Sequence, residues 1–322
     1  MADVNIGELA ATTLRNRSKD VADAAVNNNA LTKRLKAKGR IRQDYDGRSI
    51  TLPVIYDGNG TAQRYSGFEV LNINDGKVID AAEYFPVQAA VHFTISGREA
   101  AMNSGKSAAV KLVDSRLKAA KTHASNFLNQ ELFSDGSLTN QMGGLQQIIA
   151  DDPTTSTTIG GINQNTYTWW RNQVYDFSDN SQTAAANMLD GMNSLWISCS
   201  TGSETPDLIV MSSDYYNILE KSLQQLQRYA TAESGDIGFP TLMYKTANVV
   251  FDKSDSGMPA SHAYFINTDY IELAVYKNLM FEMPAGLEDG LRPINQDGYV
   301  FPLLFMGNLV TDNRKRHGVL KT

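Results

Sequence analysis

A glycine followed by lysine and serine can cradle phosphate, and Gly105-Lys106-Ser107 is such a run. The complete loop needs another glycine five positions before Gly105, and Ala100 stands there. The run also lies inside a helical pattern, not after a buried strand. Gly58-Asn59-Gly60 opens a dinucleotide-type pattern, but Gln63 holds the third glycine position and no helix follows, so a hairpin turn is the better reading. No two of His92, His123, His262 and His317 have metal-ligand spacing, and HExxH is absent. Cys199 is the sole cysteine, and a nucleophilic role would need an oriented base beside it. A small buried hydrophobe is the simpler expectation. No GxSxG nucleophile elbow occurs. Asn16-Arg17-Ser18 and Asn59-Gly60-Thr61 match the glycosylation pattern, but no secretory signal precedes them. Trp169 and Trp170 would point about 100° apart on a helix, which suits one core and one interface side chain. No catalytic, cofactor-binding or metal residue is therefore assigned, and no cofactor is expected.

Composition narrows the class. The 322 residues are 42% apolar and 20% charged, an ordinary globular balance. A net charge of −6 argues against a nucleic-acid binder as a whole. The charge is uneven, because Arg15, Arg17, Lys19, Lys33, Arg34, Lys36, Lys38, Arg40, Arg42 and Arg48 crowd the first forty-eight residues. Such a segment either touches phosphates or forms a solvated helix face. One cysteine forbids an internal disulfide and suits a reducing compartment. Neither a signal peptide nor an apolar run of about 18 residues is present, so no membrane partner is expected.

The elements that must do the work are unusual in their order. Residues 5 to 38 read as helical with a thin stripe of Leu9, Leu14, Val21 and Val26. Such a helix needs a partner. Ile50, Leu52 and Val54 alternate as a strand, with Pro53 marking an edge. Asp57-Gly58-Asn59-Gly60 and Asn74-Asp75-Gly76 are turns, and Phe68, Val70 and Leu71 open a further strand. Val87, Ala89, Val91, Phe93 and Ile95 alternate with one face buried. The period then changes at Gly97. Ala109, Leu112, Val113, Leu117, Ala120, Ala124, Phe127, Leu128 and Leu132 form one helical stripe over 106–133, about 40 Å long. Residues 136–165 read as a surface loop, 166–176 and 182–198 as helices, and 207–211 as a buried strand. Ser213 and Asp214 cap a helix running to about Ala230, and strands follow at 247–251, 263–267, 271–276 and 299–310. An isolated ribbon before a long helix is marginal in water, so something must cover it.

This order resembles the major capsid proteins of tailed phages, the Hong Kong 97-type or Johnson fold. The resemblance rests on Gly143-Gly144-Leu145, Ile148-Ile149-Ala150-Asp151, Gly160-Gly161-Ile162-Asn163 and Trp169-Trp170-Arg171-Asn172. Pro206 to Ser212 with Tyr215-Tyr216, Phe265 to Thr268 with Ile271-Glu272-Leu273, and Gly307 to Gly318 continue it. It implies an α+β chain with an N-terminal arm (1–44), an extended β-hairpin loop (45–97), a peripheral domain with the spine helix (98–144), an apical domain (145–290) and a return strand with C-terminal tail (291–322).

The resemblance further implies a non-enzymatic subunit that self-assembles into hexamers and pentamers of an icosahedral shell around double-stranded DNA. Its expected partners are copies of itself, a separate scaffolding protein, a portal, a decoration protein and non-specifically bound packaged DNA. The expected location is the virion capsid, assembled in the host bacterial cytoplasm. Leu9, Leu14, Ile50, Val70, Val91 and Phe93 are the expected inter-subunit contacts or loop-base residues. Arg15, Arg17, Lys106, Lys111, Lys118 and Lys121 are the lumen- or DNA-facing candidates. Lys77 sits where some members cross-link a loop lysine, but nothing marks its asparagine partner. Two alternatives remain: an encapsulin-type nanocompartment shell and a soluble α/β enzyme.

Overall fold

A computed structural model describes residues 29–56, 63–70, 78–102, 106–225, 242–283 and 290–322. Leu9, Leu14, Arg15, Arg17, Lys77 and both expected turns of the ribbon lie outside the described residues.

The described chain begins with helix α1 (Ala30–Ala37), capped by the Asn29 side chain, which accepts from the Leu31 N–H at 2.7 Å. Strand β1 (Ile41–Tyr45) follows, then β2 (Ile50–Ile55), β3 (Ile79–Tyr84) and β4 (Val87–Ser96). A short helix α2 (Gly97–Met102) leads to the long helix α3 (Lys106–Leu132). Beyond it lie α4 (Leu145–Ile148), β5 (Thr158–Ile159), β6 (Ile162–Asn163), β7 (Gln173–Asp176) and α5 (Ala184–Cys199). Then come β8 (Leu208–Ser212), α6 (Ser213–Gln225), β9 (Leu242–Tyr244), β10 (Ala247–Asp252) and β11 (His262–Ile266). Strands β12 (Ile271–Glu282), β13 (Gly298–Thr311) and β14 (Gly318–Lys321) close the chain.

Two main sheets result. The first runs β1-β12-β13-β4, and the second runs β7-β14-β11-β8-β10-β9. Helix α3 lies on the first sheet. Its buried Val113, Leu117, Ala120, Ala124, Leu128 and Leu132 recur at three- and four-residue steps, so they share one face. That face joins Val91, Phe93, Ile95, Phe301, Leu303 and Phe305 in the largest core cluster. Gly144 is required where the chain leaves α3, because a Cβ there would stand 2.5 Å from the Glu131 carbonyl. In the second sheet β8 is buried at every position, as a central strand covered on both faces must be. Helices α5 and α6 cover one face through Met188, Met192, Leu195, Tyr215 and Leu219.

Sheet pairing crosses the segment limits drawn from the sequence. Strand β12, inside 145–290, pairs with β13 and β1 in the first sheet. Strand β14, inside 291–322, pairs with β11 and β7 in the second. Strand β4, inside 45–97, pairs with β13 along its whole length.

Three local expectations need correction. Residues 166–176 are not a helix. A single 3-10 turn at Thr168–Trp170 is followed by β7, which pairs in parallel with β14. Asn172 breaks the helical pattern, since its side chain accepts from the Ala150 N–H and donates to the Ala150 carbonyl. Residues 136–165 are not all surface, because Leu145, Ile148 and Ile149 are fully buried. Phe68 and Val70 lie in no strand and are exposed.

Candidate assembly surface

The pair β2–β3 is a two-stranded antiparallel ribbon, with Ile50 opposite Tyr84 and Ile55 opposite Ile79. Period-2 alternation gives it two faces. One face buries Ile50, Val54, Ala82 and Tyr84. These pack on Ile159, Ile162, Trp170, Ala274, Tyr276 and Val310 of the same chain. The ribbon therefore does have cover at its base, contrary to a reading in which nothing local packs against it. The cover comes from residues distant in sequence, from Ile159 to Val310.

A clasp holds this base. The tight β5–β6 hairpin places Gly160 under Tyr84, where a Cβ would come within 3.0 Å of the ring. The backbone there has φ +59°, a conformation that favours glycine. The Gly160 carbonyl accepts from the Glu83 N–H at 3.0 Å. The Tyr84 hydroxyl donates to the Thr311 carbonyl at 2.9 Å. Trp169 stacks on Tyr56, just past β2, at 4.3 Å between centroids. Trp170 is buried and donates its indole N–H to the Ile159 carbonyl at 2.9 Å.

Beyond the clasp the ribbon changes character. Ile55 is 72% exposed, Val70 92% and Phe68 106%, and Ile79 and Tyr65 are also open. Isolated exposed apolar residues are ordinary, but five open ones between Ile55 and Ile79 make this stretch of chain suited to contact with protein. A second exposed set, Met102, Leu291 and Ile294, lies toward the α2 and β12–β13 end of the first sheet.

No protein-family model matches the sequence, and no curated protein matches it. Solved structures do match. The capsid asymmetric unit of cyanophage A-1(L) aligns with TM-score 0.57 and 15% identity, covering 88% of this chain and 90% of that one. The capsid of a native GTA particle aligns with TM-score 0.60 and 15% identity, covering 88% of each chain. The chain has the tailed-phage capsid fold. A virus-like particle from Pyrococcus furiosus also aligns, with TM-score 0.50 and 10% identity over 94% of this chain and 98% of that one.

On this capsid fold the candidate residues separate. Ile50 sits at the ribbon base, fully buried by its own chain. Val70 lies on the exposed projection. Val91 and Phe93 face α3 inside the largest core, only 7% and 6% exposed, so their contacts are internal. Phe93 stacks on Phe301 at 4.9 Å. Lys106, Lys111, Lys118 and Lys121 all lie on α3, with Lys118 exposed and Lys121 half-buried. Sequence reasoning missed that His92 and His123 line one groove of about 360 Å³ between β4 and α3, with Arg116 beside them.

Much of the basic N-terminal segment is spent internally. Asp207 meets Arg34 at 3.1 Å and Lys38 at 3.0 Å, and accepts from the Thr268 N–H and hydroxyl, each at 2.7 Å. Burial opposes ionisation of Asp207, but Thr268 and Lys38 outweigh it and hold the carboxyl below its ordinary value. Glu272, buried, accepts from the Tyr45 hydroxyl and faces Arg40 and Arg42 at 4.0 and 3.9 Å. Arg48 is exposed.

Half-buried Asp312 and buried Arg314 and His317 define the electrostatics near the end of β13. Burial pushes the Asp312 carboxyl up to about 6. Burial pushes His317 down to about 4, with Nδ1 accepting from the Asn267 N–H at 3.3 Å. Arg314 is fully buried, and no carboxylate lies within 4 Å of it among the described residues. Burial draws its guanidinium down to about 10, so it stays charged at neutral pH. Cys199 is buried and its thiol is pushed up to about 12, which makes it inert.

Proposed function

We propose that this chain is a structural subunit of a closed icosahedral protein shell, built from hexamers and pentamers, that encloses double-stranded DNA. The observation that carries this reading is the apolar projection of Ile55, Tyr65, Phe68, Val70 and Ile79, left open on a capsid-type fold. Its sister copies supply the cover. Contacts between unlike patches of identical subunits close into rings when the rotation permits. The apolar set makes such contact favourable by about 25 cal/mol for each Å² removed from water. The part of the 1–44 segment that precedes α1 acts as an arm, with Leu9 and Leu14 packing on a neighbour. The first sheet with α3 corresponds to the peripheral domain, and the second sheet to the apical domain. A separate scaffolding protein, a portal and a decoration protein complete the particle, which forms in the host bacterial cytoplasm.

Arg15, Arg17, Lys106, Lys111, Lys118 and Lys121 face the packaged DNA in this reading. Their contacts are to phosphate and carry no sequence preference. Replacing the four lysines by glutamine should then lower the DNA content of particles without preventing closure.

The test is expression of the full chain with and without residues 57–77 replaced by an Asn-Gly turn. The parent should give closed particles by electron microscopy. The shortened chain should fold, with unchanged circular dichroism, and give none. Closed particles from the shortened chain would contradict the reading. The likeness to the Pyrococcus furiosus virus-like particle favours one second reading, a nanocompartment shell around protein cargo. Nuclease-resistant DNA in purified particles supports the first, and a co-purifying protein inside DNA-free particles supports the second.

A further inference from the structure

Arg314, which the sequence presents only within the Gly307 to Gly318 run, is the largest fully buried charged side chain described. Its four hydrogen bonds go to neutral acceptors on three separate segments. Nε donates to the Ile148 carbonyl at 2.6 Å. One Nη donates to Gln164 Oε1 at 3.0 Å and to the Trp170 carbonyl at 3.1 Å. The other donates to Asn172 Oδ1 at 3.0 Å. The guanidinium also lies over the Trp170 ring, 5.9 Å from its centroid.

Two of those segments lead to the ribbon. Gln164 follows β6 and braces the β5–β6 hairpin through Thr155 Oγ1 at 2.9 Å. Trp170 fixes the same hairpin through Ile159, and Gly160 in turn holds Glu83 and Tyr84. Trp169, the next residue, stacks on Tyr56. A buried ion is costly unless its donors are satisfied, and a planar fork that meets four acceptors in fixed directions imposes geometry that a flexible ammonium cannot.

We propose that Arg314 is a positioning residue for the ribbon: it pins the Trp169–Trp170 turn and the β5–β6 hairpin into a pillar that sets the direction in which the ribbon leaves the subunit. This rests on the shell-subunit reading only for its biological purpose. The pillar itself is a property of one chain.

The test is hydrogen exchange by mass spectrometry on unassembled full-length subunits of the parent, Arg314→Met, Arg314→Lys and Trp170→Phe. In Arg314→Met, exchange at 50–55 and 79–84 should rise tenfold or more while 208–212 is unchanged. Arg314→Lys should lie between Arg314→Met and the parent. Trp170→Phe, which removes the indole donor and part of the ring but keeps an aromatic side chain, should loosen the same two strands by about threefold. A folded Arg314→Met subunit with parental exchange in the ribbon would overturn the proposal. So would equal loosening of both sheets, which marks a general core residue. If Arg314→Met does not fold, Trp170→Phe decides, and unchanged ribbon exchange there overturns the proposal. Particle formation is scored separately. A loosened ribbon with normal particles keeps the pillar and contradicts the shell role of the ribbon.

Discussion

The base of the ribbon and the chain between its two strands differ sharply although they are continuous in sequence. At the base, Ile50, Val54, Ala82 and Tyr84 are buried and the Tyr84 hydroxyl is satisfied by Thr311. Beyond it, Phe68 and Val70 are open to solvent. The base obeys the rules of a protein core, with alternating burial, paired polar groups and a glycine where no side chain fits. The projection obeys the rules of an interface waiting for its other side. In the proposed shell, one subunit would complete its own anchor and leave the far end to another. This division lets the ribbon be aimed before any neighbour arrives.

The comparison breaks most readily at the projection. Phe68→Ser with Val70→Ser should abolish particles in electron microscopy, yet shift unfolding free energy by no more than about 0.5 kcal/mol, as exposed substitutions do. A large loss of stability would mean that the projection packs within the subunit. At the base the pattern reverses. Tyr84→Ala should cost about 3–5 kcal/mol in urea unfolding, through a lost buried aromatic side chain and an orphaned carbonyl. Gly160→Ala should cost about 1–3 kcal/mol, because a positive φ and the approach to Tyr84 act together. A neutral result would show that the hairpin does not clasp the ribbon.

The smallest expected effect is a pH slope. His317 sits near 4 in the fold against an ordinary 6.5, so the unfolded chain binds more protons between those values. Its contribution to stability is present above 6.5 and is lost as pH falls toward 4. Asp312 sits near 6 against 3.8, so the folded chain binds more protons there, and its contribution is lost as pH rises toward 6. The two oppose each other. Asp312→Asn should therefore make stability rise more steeply with pH between 4 and 6, by at most about 1.4 kcal/mol per pH unit. A slope unchanged from the parent in urea titrations would show that Asp312 is not protonated in the fold.

Local patterns were legible where one residue's neighbours in sequence decide its fate. The alternation from Val87 to Ile95 and the stripe from Val113 to Leu132 translate directly into β4 and α3. The run Leu208 to Met211 reads as a central strand because every position is apolar. What was not legible depends on distant partners. Tyr84 finds Gly160 and Thr311, and Arg34 finds Asp207, only after the chain folds back. Segment 166–176 reads as helical from its local pattern, but pairing of β7 with β14 outweighs that local preference. The exposed segment is poorly legible: alternation assigns both Phe68 and Val70 to a strand that neither forms. Arg314 carries no signal at all, since nothing in Arg314-Lys315-Arg316 distinguishes the guanidinium that is buried.

Hydrogen exchange at residues 63–70, compared between purified particles and the same subunits dissociated, tests the central claim most directly. Strong protection in particles and rapid exchange in dissociated subunits is the expected result. Equally rapid exchange in both states would contradict it, because the projection would then remain uncovered in the assembled shell.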